Sequence, residues 1–299
     1  MRCFNGCFTA LITPFLADLS VDFDSLASLV DYQIKSGVTG LVLLGTTAEA
    51  SLLSDIEKSQ IIDCVISRVP ENITLIVALS SPTLDGCLAN LDELNKISRI
   101  DAYMAVTPSY IKPTQSGLVD YFDILATRAA KPFILYNVPG RTSCDLLDAT
   151  VLTMSAKNIN IHGLKDATGN IARCNFMVKR KSDKFVLFSG DDATTVSFIL
   201  SGGNSAISVV SNVVPLIYSK MCNAAYLGNK PLAIELNNQI EELHSLLFCE
   251  SNPIPVKYAC FYLGLIKTPL LRKPLTTLSE DKQLTLKTTL DKIKLFMDC

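Results

Sequence analysis

Short apolar runs alternate with longer amphipathic stretches along most of the chain. Eight apolar runs occur, at 8–12, 40–44, 73–79, 102–106, 133–136, 161–164, 185–188 and 206–209. The stretches between them have helical periodicity, at 24–36, 54–68, 84–97, 115–129, 146–155, 170–181 and 193–200. Continuous apolar runs separated by helices are typical of a parallel sheet that is covered on both faces.

Eight strand–helix units in succession favour a closed barrel over an open sheet. We therefore predict a protein of the α/β class, a (β/α)8 TIM barrel formed by residues 1–226. Helical patterns continue beyond the eighth unit, at 232–248, 253–264 and 280–296. These patterns predict a C-terminal helical extension over residues 227–299, which covers the barrel or a neighbouring subunit.

Composition narrows the function classes. The chain has 299 residues, 48% of them hydrophobic, a net charge of -2 and no basic block, which argues against nucleic acid or an anionic membrane as partner. The longest apolar runs are too short to cross a bilayer, and no signal-peptide pattern opens the chain. We expect a cytoplasmic protein.

The cysteines do not indicate a metal site. There are ten, scattered and without a CxxC pair, and the close pair Cys3 and Cys7 has no neighbouring histidine or second pair to complete a zinc site. Most lie in apolar segments, where a reduced thiol acts as a small hydrophobic group. We therefore predict free thiols and no bound metal.

Polar residues cluster where the predicted strands end, which is where barrel enzymes place their active sites. In strand order they are the stretch 45–49 (GTTAE), Thr107 to Tyr110, Tyr136 to Thr142, Lys165, the stretch 189–192 and the apolar Ile207. Each group also has a structural alternative. The 45–49 stretch could be a capped helix start, the two tyrosines could lie at the rim, and the arginine could form a surface ion pair. We interpret the acidic pair 191–192 as a helix cap and a first-turn acid.

Lys165 carries the chemistry among these groups. Keeping a lysine charged at the end of a buried strand is costly, and a neutral amine is a nucleophile that forms Schiff bases with carbonyl substrates. The two histidines, His162 and His244, fall inside a predicted strand and a predicted helix. Neither position suits a catalytic base. Proton transfer would therefore use tyrosine and threonine hydroxyls, which suits imine chemistry.

Three motifs carry a family resemblance. They are GTTAE at 45–49, YNVPGRT at 136–142 and GLKDATG at 163–169, and further similarity runs from ALITPF at 10–15 to NPIPVK at 252–257. In their order and spacing the chain resembles the dihydrodipicolinate synthase family of pyruvate-dependent class I aldolases, a superfamily that includes N-acetylneuraminate lyase. Sialic-acid lyases lack the arginine–threonine pair of the second motif.

The resemblance implies that pyruvate is the first substrate. Lys165 would form the Schiff base with pyruvate, and Thr47 with neighbouring backbone N–H groups would hold the pyruvate carboxylate. Tyr136 would donate and accept protons within a relay that Thr46 and Tyr110 complete.

The remaining implied roles concern the second substrate and the assembly. Arg141 would bind the carboxylate of L-aspartate 4-semialdehyde, and Ile207 would line the pyruvate pocket through its main chain. Tyr110 would come from a partner subunit, so that a homotetramer is implied. The product would be a cyclic hydroxy-tetrahydrodipicolinate on the route to diaminopimelate and lysine. No metal or organic cofactor is needed, because the lysine itself activates the carbonyl.

Two departures from the family pattern concern the first motif. Ala48 and Ala50 stand where the family usually has glycine and serine. We expect catalysis to survive Ala48 if the turn is not left-handed there. The region that supplies the lysine site of inhibited members contains, in this chain, Ala50, Asp55, Lys58 and Ser109. We therefore predict weak or absent inhibition by lysine.

Two other function classes stay open at this point. One is a pyruvate aldolase or hydratase acting on a sugar acid or an aromatic aldehyde, which would not need Arg141 as a carboxylate ligand. The other is a catalytically silent barrel that binds or regulates, which the loss of the lysine or the tyrosines would have favoured.

Overall fold

Eight parallel strands form a closed barrel in the computed structural model, which describes residues 4–297. The strands are β1 (Gly6–Ala10), β2 (Gly40–Leu43), β3 (Thr74–Leu79), β4 (Ala102–Val106), β5 (Phe133–Asn137), β6 (Ile161–Asp166), β7 (Val186–Ser189) and β8 (Ser205–Ser208). Each pairs with the next, and β8 closes the barrel by pairing with β1. The predicted TIM barrel is confirmed.

Helices surround the barrel and continue along the chain after its last strand. They are α1 (Phe23–Lys35), α2 (Asp55–Ile66), α3 (Leu84–Leu94), α4 (Gln115–Arg128), α5 (Pro139–Thr142), α6 (Asp148–Lys157), α7 (Ile171–Val178), α8 (Thr195–Leu200), α9 (Pro215–Tyr226), α10 (Lys230–Gln239), α11 (Glu241–Leu246), α12 (Ile254–Tyr262) and α13 (Glu280–Met297). Short 3-10 turns lie at Thr46–Ala48, Ala50–Leu52, Asp192–Thr194 and Val210–Asn212.

Some predicted boundaries were wrong. β1 begins and ends two residues earlier than its apolar run, because Gly6 already pairs with Ser205 of β8. The helix predicted over 232–248 is two helices, since the backbone departs from helical geometry at the buried Ile240. β6 extends two residues past its apolar run, so that Lys165 lies within the strand.

Apolar side chains fill the barrel interior. Phe8 and Phe188 meet edge to face with ring centroids 5.5 Å apart, and Ile207 and Tyr136 belong to the same buried cluster. A second, larger cluster lies between the strands and the surrounding helices. Because the interior is packed with side chains, the polar residues that act on a ligand must lie at the strand ends.

α10 packs on α9, α11 and α12 contact the turns at Asp192–Thr194 and Val210–Asn212, and α13 packs on α11 and α12. A division between residues 226 and 227 stays a prediction. The described cysteines are free thiols, as expected, while Cys3 and Cys299 lie outside the described residues. Within residues 4–297, no helix combines the length and hydropathy needed to cross a membrane.

Candidate active site

Lys165 and Tyr136 meet at the carboxyl ends of two neighbouring strands. They are register partners in β5 and β6, and the Lys165 Nζ lies 4.2 Å from the centroid of the Tyr136 ring. Both side chains are buried, with Lys165 only 7% exposed, and Phe188 of β7 lies beside the lysine in register. A buried amine next to a phenol has both the nucleophile and the proton carrier that imine formation requires.

An ion-pair network surrounds the next residue of β6, Asp166. Arg173 of α7 lies between three carboxylates, with its Nη1 2.8 Å from Asp145, its Nη2 2.9 Å from Asp148 and its Nε 3.5 Å from Asp166. Burial raises the pKa of Asp166, an effect that the Arg173 charge opposes. The Asn137 amide also donates to Asp145, at 2.7 Å. The network ties the ends of β5 and β6 together behind Lys165.

Arg141 lies in α5, the short helix that follows β5. Its side chain is exposed, and its Nη2 donates to the backbone carbonyl of Asn252 at 3.1 Å. No ion pair of Arg141 is found among residues 4–297, so the structure gives no support to the surface ion pair considered from the sequence. Thr142 anchors this helix, because its hydroxyl accepts a hydrogen bond of 3.0 Å from Thr107 at the end of β4. The hydrogen bond to Asn252 uses one of the five guanidinium N–H donors of Arg141.

An open cavity of about 510 Å³ adjoins Arg141. Its lining consists of Gly140, Arg141, Phe248, Glu250, Ser251 and Asn252. The cavity therefore combines one guanidinium with the loop before α12. A guanidinium in this position suits a small carboxylate ligand.

The GTTAE stretch contains one 3-10 turn, Thr46–Ala48, which is separated from the end of β2 by two residues. Thr47 is buried and its Oγ1 accepts a hydrogen bond of 3.0 Å from the Asn252 amide, whereas Thr46 is exposed. The helix-cap alternative for this stretch is wrong: no side chain caps the turn, and Glu49 is paired with Lys257 instead. The turn therefore places Thr46 and Thr47 just beyond the carboxyl end of β2.

Ala48 does not adopt a left-handed conformation. The left-handed residues of this stretch are its neighbours Leu44 and Glu49, with φ of 57° and 55°. The condition under which we expected Ala48 to be tolerated is met. Its carbonyl accepts a hydrogen bond of 2.8 Å from the Thr13 hydroxyl, which holds the turn against the end of β1.

The other predicted site residues separate into two groups. Ile207 is buried in the barrel interior beside Phe8, close to the level of Tyr136. Tyr110 is not buried: 92% of its side chain is exposed, and its φ is 73°. In the single chain, the structure therefore does not bring Tyr110 into the cluster of Lys165 and Tyr136.

The acidic pair after β7 has the expected capping role and one further function. Asp191 caps the Asp192–Thr194 turn, accepting from the Thr194 N–H at 3.1 Å. Asp192 accepts from the N–H groups of Val209 and Val210 at 3.0 and 3.2 Å, which fixes the chain after β8. The interpretation of a cap and a first-turn acid is confirmed. His162 and His244 lie in β6 and α11, as predicted.

Three residues of the site were missed at the sequence level. Gly190 packs against the Lys165 stem, and Asn252 and Lys257 contact the GTTAE stretch from the C-terminal part of the chain. The NPIPVK stretch contained Asn252 and Lys257, but only the resemblance drew attention to it. Among the described residues, no group of three or more His, Cys, Asp or Glu side chains is placed so that it could hold a metal ion.

A (β/α)8 barrel with a buried lysine and tyrosine at its strand ends defines an enzyme of the Schiff-base-forming lysine class. The sequence profile of the dihydrodipicolinate synthetase family matches residues 3–293. The chain belongs to this family. The family, the fold and the enzyme class expected from the sequence are thereby confirmed.

Named relatives agree with this assignment. The chain is 44% identical over 274 residues to the 4-hydroxy-tetrahydrodipicolinate synthase of Pseudomonas aeruginosa, covering 92% of this chain and 93% of the relative. It is 42% identical over 279 residues to the synthase of Laribacter hongkongensis, at 93% and 95% coverage. A crystal structure of the chloride-inhibited dihydrodipicolinate synthase of Acinetobacter baumannii, complexed with pyruvate, superimposes with a TM-score of 0.93 at 39% identity, over 97% of this chain and 99% of that one.

Proposed function

We propose that the protein acts as a 4-hydroxy-tetrahydrodipicolinate synthase, condensing pyruvate with L-aspartate 4-semialdehyde through a Schiff base on Lys165. The observation that carries the proposal is the buried amine of Lys165 beside the Tyr136 ring, with an arginine free of carboxylate partners in the described chain at the same end of the barrel. The names of the relatives support the same reaction. Its place is the synthesis of diaminopimelate and lysine.

The first half of the reaction activates pyruvate. The Lys165 Nζ attacks the keto carbon, and the carbinolamine loses water to form an imine, with protons carried by Tyr136. The Thr46–Ala48 turn binds the pyruvate carboxylate through the Thr47 hydroxyl and neighbouring N–H groups. Ile207 lines the pocket below. Loss of a methyl proton then gives the enamine.

The second half forms the carbon–carbon bond. The enamine carbon attacks the aldehyde carbon of the semialdehyde, and the aldehyde oxygen takes up a proton from the relay. The semialdehyde amine then attacks the imine carbon and displaces Lys165, which closes the ring and frees the enzyme. Arg141 holds the semialdehyde carboxylate with donors that its bond to Asn252 leaves available.

The assembly and location belong to the same proposal. A homotetramer accounts for Tyr110 and Ile111, which are 92% and 70% exposed on one chain, because a partner subunit would cover both. Tyr110 would then complete the relay of Tyr136 and Thr46 in the partner's site. We propose a cytoplasmic location, and the site chemistry requires no cofactor.

Borohydride trapping tests the proposal. Purified protein is incubated with pyruvate, reduced with borohydride and digested, and the peptides are analysed by mass. We expect a reduced pyruvate adduct on Lys165 and none in the matched Lys165→Met variant. Absence of the adduct in folded wild-type protein would contradict both this reaction and any other pyruvate aldolase. If trapping succeeds, condensation with L-aspartate 4-semialdehyde, compared with sugar and aromatic aldehydes, identifies the second substrate.

A further inference from the structure

A fully buried ion pair lies beneath the Thr46–Ala48 turn. The Lys257 Nζ of α12 is 2.8 Å from the Glu49 Oε1, and both side chains are completely inaccessible. The Lys257 ammonium also lies 3.9 Å from the centroid of the Phe15 ring. Burial lowers the pKa of Lys257 to about 8, and the Glu49 carboxylate opposes that shift. The two partners are separated by 208 residues of sequence, so the pair joins the C-terminal part of the chain to the second strand end.

Glu49 holds an unfavourable backbone conformation at the end of this turn. Its φ of 55° and ψ of 32° are left-handed, which is uncommon for a residue other than glycine or asparagine. Both carboxylate oxygens are bonded: Oε1 accepts from Lys257, and Oε2 accepts from the Arg272 backbone N–H at 2.9 Å. The Glu49 N–H in turn donates to the Thr46 carbonyl at 3.1 Å. The fixed carboxylate therefore fixes the last hydrogen bond of the turn.

The same C-terminal segment contacts the turn at a second point. The Asn252 amide donates to the Thr47 Oγ1 at 3.0 Å. Because that oxygen is used as an acceptor, the Thr47 hydroxyl hydrogen is left to donate elsewhere. In the proposed reaction, the acceptor for this hydrogen is the pyruvate carboxylate.

Stability alone is a weak explanation for such a pair. Removing two charges from water costs several kcal/mol per ion, and apolar side chains of similar volume often serve a core equally well. Another shielded pair, Arg99 and Asp101 at 2.9 Å, lies at the opposite end of the barrel, where Asp101 accepts from the Leu75 N–H at the start of β3. That pair is remote from every proposed substrate contact. It offers a comparison for what a structural ion pair does.

We propose that Glu49 and Lys257 are positioning residues for pyruvate: their ion pair holds the Thr46–Ala48 turn in the shape that binds the pyruvate carboxylate. This inference rests on the proposed function. Neither residue touches the substrate, and both act through the turn. The pair contacts the turn and not Arg141, which is held by the Asn252 carbonyl, so its loss should affect pyruvate binding more than binding of the second substrate.

The test compares kinetic constants for the two substrates. Lys257→Met and the double variant Glu49→Gln/Lys257→Met remove the ion pair, the double variant without leaving an unpaired buried charge. We expect the KM for pyruvate to rise at least tenfold while the KM for L-aspartate 4-semialdehyde stays within twofold of wild type. Arg99→Met is the matched control, which lowers the melting temperature but leaves both KM values unchanged. Circular dichroism establishes folding, and Glu49→Gln, nearly isosteric, replaces Lys257→Met if that variant does not fold.

Two results would overturn the inference. One is a pyruvate KM within twofold of wild type in any folded variant that lacks the ion pair. The other is a parallel rise of both KM values that Arg99→Met reproduces, which would show a general structural role. Borohydride trapping on Lys165 of the wild-type enzyme distinguishes failure of the positioning role from failure of the proposed function. If wild type forms the adduct and the variants keep their pyruvate KM, only the positioning role is lost.

Discussion

Gly190 lies against the side chain of Lys165. A Cβ at this position would lie 3.0 Å from the Lys165 Cε and 2.9 Å from the Ala167 Cβ, closer than side chains tolerate without movement. Gly190→Ala therefore requires Ala167 to move and the lysine stem to give by a few tenths of an ångström. A misplacement of about 1 Å at a reacting group costs on the order of a hundredfold in rate. We expect kcat to fall at least tenfold and borohydride trapping to slow, measured by steady-state assay and mass analysis.

Gly117→Ala is the matched control for this substitution. Gly117 lies in α4, and a Cβ there would meet the Thr114 hydroxyl at an ordinary 3.5 Å. Its kcat should equal that of wild type. A Gly190→Ala enzyme with wild-type kcat would mean that the Lys165 stem has room to shift without loss.

Single residues were predictable where their chemistry is local. Lys165 ends an apolar run, and Tyr136 ends the neighbouring one, so both were placed from the strand pattern. The role of Glu49 could not be predicted from the sequence, because its position three residues after Thr46 equally suits a helix cap. Only the fold brings Lys257 to it across 208 residues. Pairing of this range leaves no local trace in one sequence.

The start of α2 is fixed by one glutamate with two partners. Ser54 and Glu57 form a capping box, and Glu57 also pairs with the Arg272 guanidinium from the C-terminal part of the chain. Hydrogen bonding to Arg272 lowers the pKa of Glu57 from 4.5 to about 2. Because the folded-state pKa lies below the ordinary value, this carboxylate stabilises the fold fully above pH 4.5 and less as the pH falls towards 2.

The Glu57→Gln substitution therefore changes how steeply the stability of the fold declines at acid pH. We expect a lower melting temperature at pH 7 and a flatter decline than wild type between about pH 4.5 and pH 2, measured by thermal unfolding across that range. Glu93→Gln is the control, since Glu93 is exposed and pairs with the exposed Lys96 three residues further on, just past the end of α3. Parallel pH curves for wild type and Glu57→Gln would show that the Arg272 contact contributes nothing to folding.

Strands were easier to predict than the ends of elements. A strand buried on both faces is a continuous apolar run, which identified all eight. The break between α10 and α11 has no proline or glycine, and it arises where Ile240 turns into the core. β6 continues through polar Lys165 and Asp166, because pairing with β5 and β7 persists there. Backbone pairing, rather than side-chain type, decides such ends.

At the scale of the whole molecule, Tyr110 tests the proposed assembly. If each site combines Lys165 of one chain with Tyr110 of its partner, a mixed dimer of Lys165→Met and Tyr110→Phe chains contains one intact site. We expect each variant alone to be impaired and the two, unfolded and refolded together, to regain up to about a quarter of wild-type activity by random pairing. Mixtures no more active than the separate variants would place Tyr110 in its own chain's site or in none. Analytical ultracentrifugation gives the oligomeric state.

The predicted weak inhibition by lysine depends on the region around Ala50 and Lys58. Ala50 is buried and offers no polar side chain, and the Lys58 ammonium lies 3.0 Å from Asp55 within α2. A cation at this position repels the ammonium groups of lysine. We expect the enzyme to keep more than 80% of its activity when free lysine is present at about ten times a micromolar dissociation constant. Half-inhibition at micromolar lysine would contradict this prediction.

The contact between the Thr46–Ala48 turn and the segment from Asn252 to Lys257 also sets an order of events during synthesis. The ribosome makes the turn early, but its partners are added only after all eight strands have been translated. A nascent chain with a complete set of barrel strands would therefore still lack the contacts that we propose shape the pyruvate site. Activity during translation should begin only once α12 has left the exit tunnel, which makes the enzyme's own catalysis a reporter of late folding.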